Sequence, residues 1–313
     1  MRVLLAIDGS RSADRARDLV AALPWPRDSH IRIAAAIRHG DGQERYTLDT
    51  ALDAAERDIM RPGRRVDRFL VDGRPASAIV DEAEAFGAEL VVVGSRGHGP
   101  IQSMVLGSVS AEVVDHAPCP VLVVRDAPFT SVLVAEDGSP SARAAADLAA
   151  RWPILRGLPI TVLSVAETLL PMPTGMTPGL YDEVIASYHE SVDDARRQAD
   201  AQSVVTAERL GAAGADARPA MREGDAAHEI VEFARIHETG VIVVGTRGHT
   251  GLARLVLGSV ARNVLLHAPC SVLVVRQTVR PPRGHRANTE QPAAEHSAAS
   301  APPVDPWTVG VGH

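Results

Sequence analysis

Leu90-Val91-Val92-Val93-Gly94-Ser95-Arg96-Gly97-His98 decides how this chain folds, because it returns as Val241-Ile242-Val243-Val244-Gly245-Thr246-Arg247-Gly248-His249. In both copies four consecutive apolar residues run straight into a glycine. A run without polar alternation is the pattern of a strand covered on both faces, as in a parallel sheet packed between helices. The similarity extends outward on both sides. Val3-Leu4-Leu5-Ala6-Ile7-Asp8-Gly9-Ser10 returns 129 positions later as Val132-Leu133-Val134-Ala135-Glu136-Asp137-Gly138-Ser139. His116-Ala117-Pro118-Cys119-Pro120-Val121-Leu122-Val123-Val124-Arg125 returns 151 positions later as His267 to Arg276, with Pro120 changed to Ser271. The growing offset places 22 extra residues in the second copy, within about 167–215. Two long units are two copies of one domain; a solenoid needs more and shorter repeats.

Inside the first copy, short β-branched runs alternate with amphipathic stretches. Strands are expected over 3–7, 31–37, 66–71, 89–93 and 121–125. Helices are expected over about 12–22, 47–60, 75–86 and 108–116. Alternation of this kind predicts α/β architecture: two tandem open doubly wound parallel sheets, Rossmann-like, five strands each in the order 3-2-1-4-5. In the second copy, Leu169 to Tyr181 is rich in Pro, Met and Gly and reads as a surface loop, with a helix from about Tyr181 to Leu210. The expected division is a first domain over 1–126, a second over 130–276, and a disordered Pro/Ala/His-rich tail over 277–313. His285, His296 and His313 in that tail are too scattered for a metal site.

Length and composition fit this reading. The chain has 313 residues, 45% hydrophobic and 23% charged, which suits two globular domains. Aromatics are only 3%, so the core must be aliphatic. All 32 basic residues are arginine. Without lysine there is no Walker A loop, no kinase β3 lysine and no pyridoxal Schiff base. A net charge of -7 argues against a nucleic-acid partner. The opening segment turns polar at Asp8, too early for a secretory leader, and no apolar run is long enough to span a membrane. Cys119 and Cys270 stand far apart and make no disulfide framework. A cytoplasmic location is expected.

The chemistry is expected at Gly94-x2-Gly97-x9-Gly107-Ser108 and its copy Gly245-x2-Gly248-x9-Gly258-Ser259. Each pattern starts where a buried strand ends and closes where a helix begins. Doubly wound sheets bind ligands beyond the carboxyl ends of their strands, where the strand order reverses. Glycine permits a tight turn and close approach to an anion, and the helix opening at Gly107-Ser108 offers unpaired N–H groups to phosphate. The competing reading is a plain strand-loop-helix connection. Asp8 and Asp137 follow the first strand of each copy; in the order 3-2-1-4-5 Asp8 lies across the crevice from Gly94. Such an aspartate can accept hydrogen bonds from a base or ribose, or stand near a phosphate-bound metal. Alternatively Asp8 and Ser10 cap the following helix.

On these motifs both copies resemble universal stress protein domains, over about residues 1–126 and 130–276. The pattern G-x2-G-x9-G-(S/T) resembles that of the family's nucleotide-binding branch, and Ala117-Pro118-Cys119-Pro120-Val121-Leu122-Val123-Val124-Arg125 resembles its last strand. The resemblance implies ATP, accompanied by Mg2+, at Asp8, Gly94, Gly97, Gly107 and Ser108. Arg96, Val109 and Ser110 fall at adjoining positions, with Ala36 beside the base. In the second copy it implies Asp137, Gly245, Arg247, Gly248, Gly258, Ser259 and Val260, with Val165 beside the base. Ala261 stands in place of Ser110, which removes a hydroxyl expected to meet phosphate, and Glu136 replaces Ile7.

His98 and His249 lie in the glycine loops, but no acid-base pair accompanies them, so no catalytic residue is assigned. The expected function is an ATP-binding regulatory or nucleotide-sensing role in a stress response. The alternatives are a slow adenine-nucleotide hydrolase and an interaction scaffold that binds no nucleotide. Val121 to Arg125 and Val272 to Arg276 are apolar edge strands. Family members commonly dimerise through this strand, which implies that the two copies pair within the chain, with a homodimer forming through other surfaces.

Overall fold

A computed structural model describes residues 1–37, 42–96, 106–167, 178–246 and 257–276, with side chains from residue 187 onward in the helix that begins at residue 178. The first half runs β1 (Arg2–Ala6), α1 (Arg11–Ala22), β2 (His30–Ile37), α2 (Gly42–Ile59), β3 (Arg65–Asp72), α3 (Pro75–Phe86), β4 (Leu90–Gly94), α4 (Ser108–His116) and β5 (Val121–Val124). The second runs β6 (Val132–Ala135), α5 (Pro140–Arg151), β7 (Ile160–Ala166), α6 (Pro178–Ala212), β8 (Ala217–Glu223), α7 (Ala226–Ile236), β9 (Val241–Gly245), α8 (Ser259–His267) and β10 (Ser271–Val275). A single 3-10 turn, Pro153–Leu155, follows α5.

The expected α/β fold is present, and its two sheets are joined. All ten strands form one sheet in the order β3-β2-β1-β4-β5-β10-β9-β6-β7-β8. Within each half the strands are parallel; β1 pairs with β4 through Val3 and Leu90, Leu4 and Val91, Leu5 and Val92. Only the central seam is antiparallel, with Val123 opposite Val272, Leu122 opposite Leu273 and Val121 opposite Val274. The strands of the two halves therefore point in opposite directions, and their carboxyl ends open at opposite edges of the sheet. Both faces carry a continuous aliphatic core across the seam. Leu122, Val124, Leu273 and Val275 face one side, and Val121, Val123, Val272 and Val274 the other.

The linker is tightly packed for so short a connection. A Cβ on Gly240 would lie 2.5 Å from the Pro128 carbonyl oxygen and 2.6 Å from the Thr130 nitrogen. Glycine is therefore required there by the passing backbone. Helix boundaries depart from the sequence expectation at two places. α2 starts at Gly42 instead of about residue 47, and α6 starts at Pro178 instead of Tyr181. Proline is compatible with a first helical turn because its missing N–H has no partner there anyway. α6 has 35 residues against 18 in α2, which accounts for most of the extra length of the second copy. Of the expected loop over 169–181, residues 178–181 instead open α6, while 169–177 and the tail 277–313 lie outside the described residues. Among the described residues no helix is long and apolar enough to cross a membrane.

Candidate functional site

The first half of the candidate site forms where β1 and β4 end side by side. Asp8 stands just beyond β1, and its Oδ1 accepts the Ser10 N–H at 2.9 Å; Asp137 Oδ1 does the same for Ser139 at 2.9 Å. Each aspartate thus closes a local turn over its glycine, which has a φ of 77° at Gly9 and 78° at Gly138. That left-handed backbone suits glycine. The helix caps are the serines: Ser10 Oγ accepts from Ala13 N–H at 3.2 Å and Ser139 Oγ from Ala142 N–H at 3.1 Å. Asp8 is half-buried and Asp137 exposed. Ala36 is near the end of β2, two residues past the Ala6–Ala34 pair; continuing that register sets it level with Asp8. Val165 holds the matching place in β7.

Gly94 and Gly245 have a packing role that the sequence reading did not give them. An added Cβ on Gly94 would meet Ser12 at 2.6 Å from Oγ, 2.7 Å from the carbonyl carbon and 2.8 Å from the carbonyl oxygen. On Gly245 it would meet Ser141 at 2.7 Å from the carbonyl carbon and 2.8 Å from both oxygens. The absent side chain makes room for the first turn of α1 or α5, so these glycines admit a helix against the strand end. The sequence reading missed Ser12 and Ser95. The Arg96 N–H donates to Ser12 Oγ at 3.1 Å, Ser12 and Ser95 share a hydrogen bond at 3.4 Å, and Ser10 Oγ donates to the Arg96 carbonyl at 3.3 Å. The repeated serine pair, Ser10-Arg11-Ser12 and Ser139-Pro140-Ser141, was the available signal.

α4 and α8, like α3, begin without a side-chain cap, whereas three other helices have one. Ser10, Ser139 and Asp225 each cap a helix through a side-chain oxygen. α4 and α8 start from Gly107 and Gly258 with no side-chain cap. Their first N–H groups thus receive no acceptor from a capping side chain. The glycine N–H groups hold each helix to its strand end: Gly107 donates to Ser95 O at 2.9 Å and Gly258 to Thr246 O at 2.8 Å. Ser108 and Ser259 are exposed, while Val109 and Val260 are half-buried beside them.

Ser110 has a partner within the fold. Its hydroxyl is buried and donates to the Gly94 carbonyl at 2.7 Å, so its hydrogen ties α4 to β4. Ala261 in α8 therefore lacks a helix-to-strand tie. Gly97, Arg247, Gly248, His98 and His249 lie outside the described residues. Among the described residues no group of three or more His, Cys, Asp or Glu side chains is gathered for a metal ion. Burial pushes the Cys119 and Cys270 thiols up to about 12, which keeps them protonated and unreactive.

Glu136 gives the second half a buried acid where the first has Ile7. It is 3% exposed, accepts Gly138 N–H at 2.6 Å, and accepts from Thr206 Oγ1 of α6 at 3.3 Å. Burial raises its carboxyl above the usual range, and these two hydrogen bonds only partly oppose that. The folded chain therefore holds this proton more tightly than the unfolded chain. Its contribution to stability is complete below the unfolded pKa and declines as pH rises through the window up to the folded pKa. Glu136→Gln should remove that decline. Thermal unfolding followed from pH 4 to pH 8 should show the variant gaining on wild type as pH rises; parallel curves would refute the assignment.

Sequence comparison identifies what this geometry belongs to. Residues 1–125 and 128–276 each match the universal stress protein family. A universal stress protein of Thermus aquaticus is 36% identical over 133 residues, covering 39% of this chain and 97% of its own. One of Mycobacterium tuberculosis is 29% identical over 297 residues, covering 88% and 96%. A solved universal stress protein from Archaeoglobus fulgidus shares the fold with a TM-score of 0.62 at 20% identity, over 88% of this chain and 98% of that one. With two matched copies filling its described length, the chain belongs to the universal stress protein family.

Proposed function

We propose that the two halves, 1–126 and 130–276, each bind an adenine nucleotide, ATP with Mg2+ as its accompanying ion, and that the protein is a cytoplasmic nucleotide-sensing regulator in a stress response. The observation that carries this reading is the uncapped start of α4 and α8 beside the β1–β4 and β6–β9 crevices. Backbone N–H groups at a helix start attract phosphate through both hydrogen bonding and the helix dipole. In the first half Asp8 and Ala36 would face the nucleoside, Gly107, Ser108 and Val109 the phosphates, and Arg96 and Gly97 the turn between. In the second half Asp137, Val165, Gly258, Ser259 and Val260 take the same places, with Arg247 and Gly248 in the turn. The ligand would supply the negative charge that those N–H groups lack.

Ser108→Pro tests this directly. Gly107 has the extended backbone that a following proline requires, φ -63° and ψ 145°, and proline suits a first helical position. The fold should be unchanged while one N–H and one hydroxyl leave the site. ATP affinity of the first half, measured by calorimetry, should fall about tenfold or more, the scale of a charge-assisted hydrogen bond. Unchanged affinity would remove the start of α4 from the site. Mass spectrometry of the freshly purified protein should find carried-over ATP; a chain that neither carries nor binds nucleotide would be a scaffold instead.

A further inference from the structure

The residue after each seam strand is an arginine, and each guanidinium crosses to the other half. Arg125 follows β5, and its Nη2 donates to the Leu265 carbonyl at 2.6 Å. Arg276 follows β10, and its Nη2 donates to the Val114 carbonyl at 2.8 Å and also to the Asp115 carbonyl. Leu265 lies in the last turn of α8, and Val114 and Asp115 lie in the last turn of α4. Carbonyls there have no intrahelical partner, and a cation also suits the negative end of the helix. The contact is reciprocal and made by equivalent residues. Two flanking contacts add to it. The Arg125 N–H donates to Ser271 Oγ at 3.1 Å, and Arg262 Nη2 lies 3.3 Å from Asp115.

We propose that Arg276 and Arg125 are positioning residues that set the candidate nucleotide sites from the opposite half: Arg276 holds α4 for the first site, and Arg125 holds α8 for the second. This rests on the nucleotide reading above. α4 and α8 have nine residues each, rods about 13 Å long, so fixing one end fixes where the other end presents its N–H groups. Among the described residues, the start of each rod is tied to its own half by Gly107 to Ser95 and Ser110 to Gly94 for α4, and by Gly258 to Thr246 for α8. Ala261 supplies no counterpart to the Ser110 tie, so α8 depends more on its crossing arginine than α4 does. Each half then lacks part of its support unless the seam is formed.

The test uses Arg276→Gln and Arg125→Gln in the full chain, with Arg276→Lys and Arg125→Lys retaining a charged donor. Hydrogen exchange is read peptide by peptide without ligand. Arg276→Gln should speed exchange in α4 about tenfold and leave α8 unchanged. Arg125→Gln should speed α8, by more, and leave α4 unchanged; lysine should restore part of the protection in each case. Photolabelling with 8-azido-ATP should follow the same crossed pattern, with Arg276→Gln losing label in the first half and Arg125→Gln in the second. An effect confined to the variant's own half, or equal in both halves, would overturn the inference. Should a glutamine variant not fold, the lysine variants decide by the same crossed pattern. Wild type taking no label in either half would defeat the nucleotide reading alone, because the exchange measurement still judges whether the arginines hold the opposite helices.

Discussion

Val123→Asp should unfold the centre of the molecule. Val123 is fully buried and stands opposite Val272 in the seam. Its side chain faces a core built from Val121, Val272 and Val274 with the apolar residues of α4 and α8. A carboxylate there would replace an apolar side chain inside that core, and burying a charge costs several kcal/mol unless it is fully paired. The loss of a fully buried valine adds about 1.5–3 kcal/mol. Against the 5–15 kcal/mol typical of folded domains, the change removes much or all of the stability. Chemical denaturation should show a collapsed midpoint or no folded baseline. Val123→Ala is the companion measurement: it leaves a smaller cavity and should cost about 1–3 kcal/mol with the fold kept. A Val123→Asp chain with wild-type stability would mean that the two halves do not share this core.

The two seam strands were legible in the sequence because both are short, apolar and repeated, while their pairing with each other was implied by the family resemblance. The continuous runs at Leu90 to Val93 and Val241 to Val244 likewise marked β4 and β9. Outer strands β3 and β8 were harder, since each has half-exposed residues along its length. Helix starts at Gly42 and Pro178 were missed because their signals are weak glycine and proline cues. What the sequence left hidden was the partner of each conspicuous residue. A glycine at a strand end reads equally well as room for a phosphate or room for a helix, and only the position of Ser12 separates them. A serine one turn into a helix reads as a ligand contact until Gly94 is found beneath it. Arg125 and Arg276 looked like strand ends, because their partners lie 140 and 161–162 positions away along the chain. Periodicity reports which face of an element is buried. It carries no record of which distant carbonyl a side chain reaches.

Gly94→Val separates the two meanings of that glycine by the sign of its effect. Judged by local preference alone, valine at the end of a buried strand should stabilise, since glycine in a strand loses more backbone entropy and packs nothing. The packing around Gly94 demands the opposite. The first added carbon already falls 2.6–2.8 Å from three atoms of Ser12, and two of those belong to the backbone of α1. Backbone cannot rotate aside as a side chain can, so α1 must move off β4. Overpacking of this kind costs typically about 1–3 kcal/mol, and the two further methyls of valine put it at the upper end. The unfolding midpoint should therefore drop. ATP affinity of the first half should drop with it, because the Ser12 bond to the Arg96 N–H depends on the same approach. Adding Ser12→Ala should not rescue the variant, because it removes Oγ and leaves the carbonyl carbon and oxygen at 2.7 and 2.8 Å. Gly245→Val should repeat the loss in the second half, where the carbonyl carbon and oxygen of Ser141 stand at the same distances. A Gly94→Val chain as stable as wild type would show that α1 has room to move and that packing does not require this glycine.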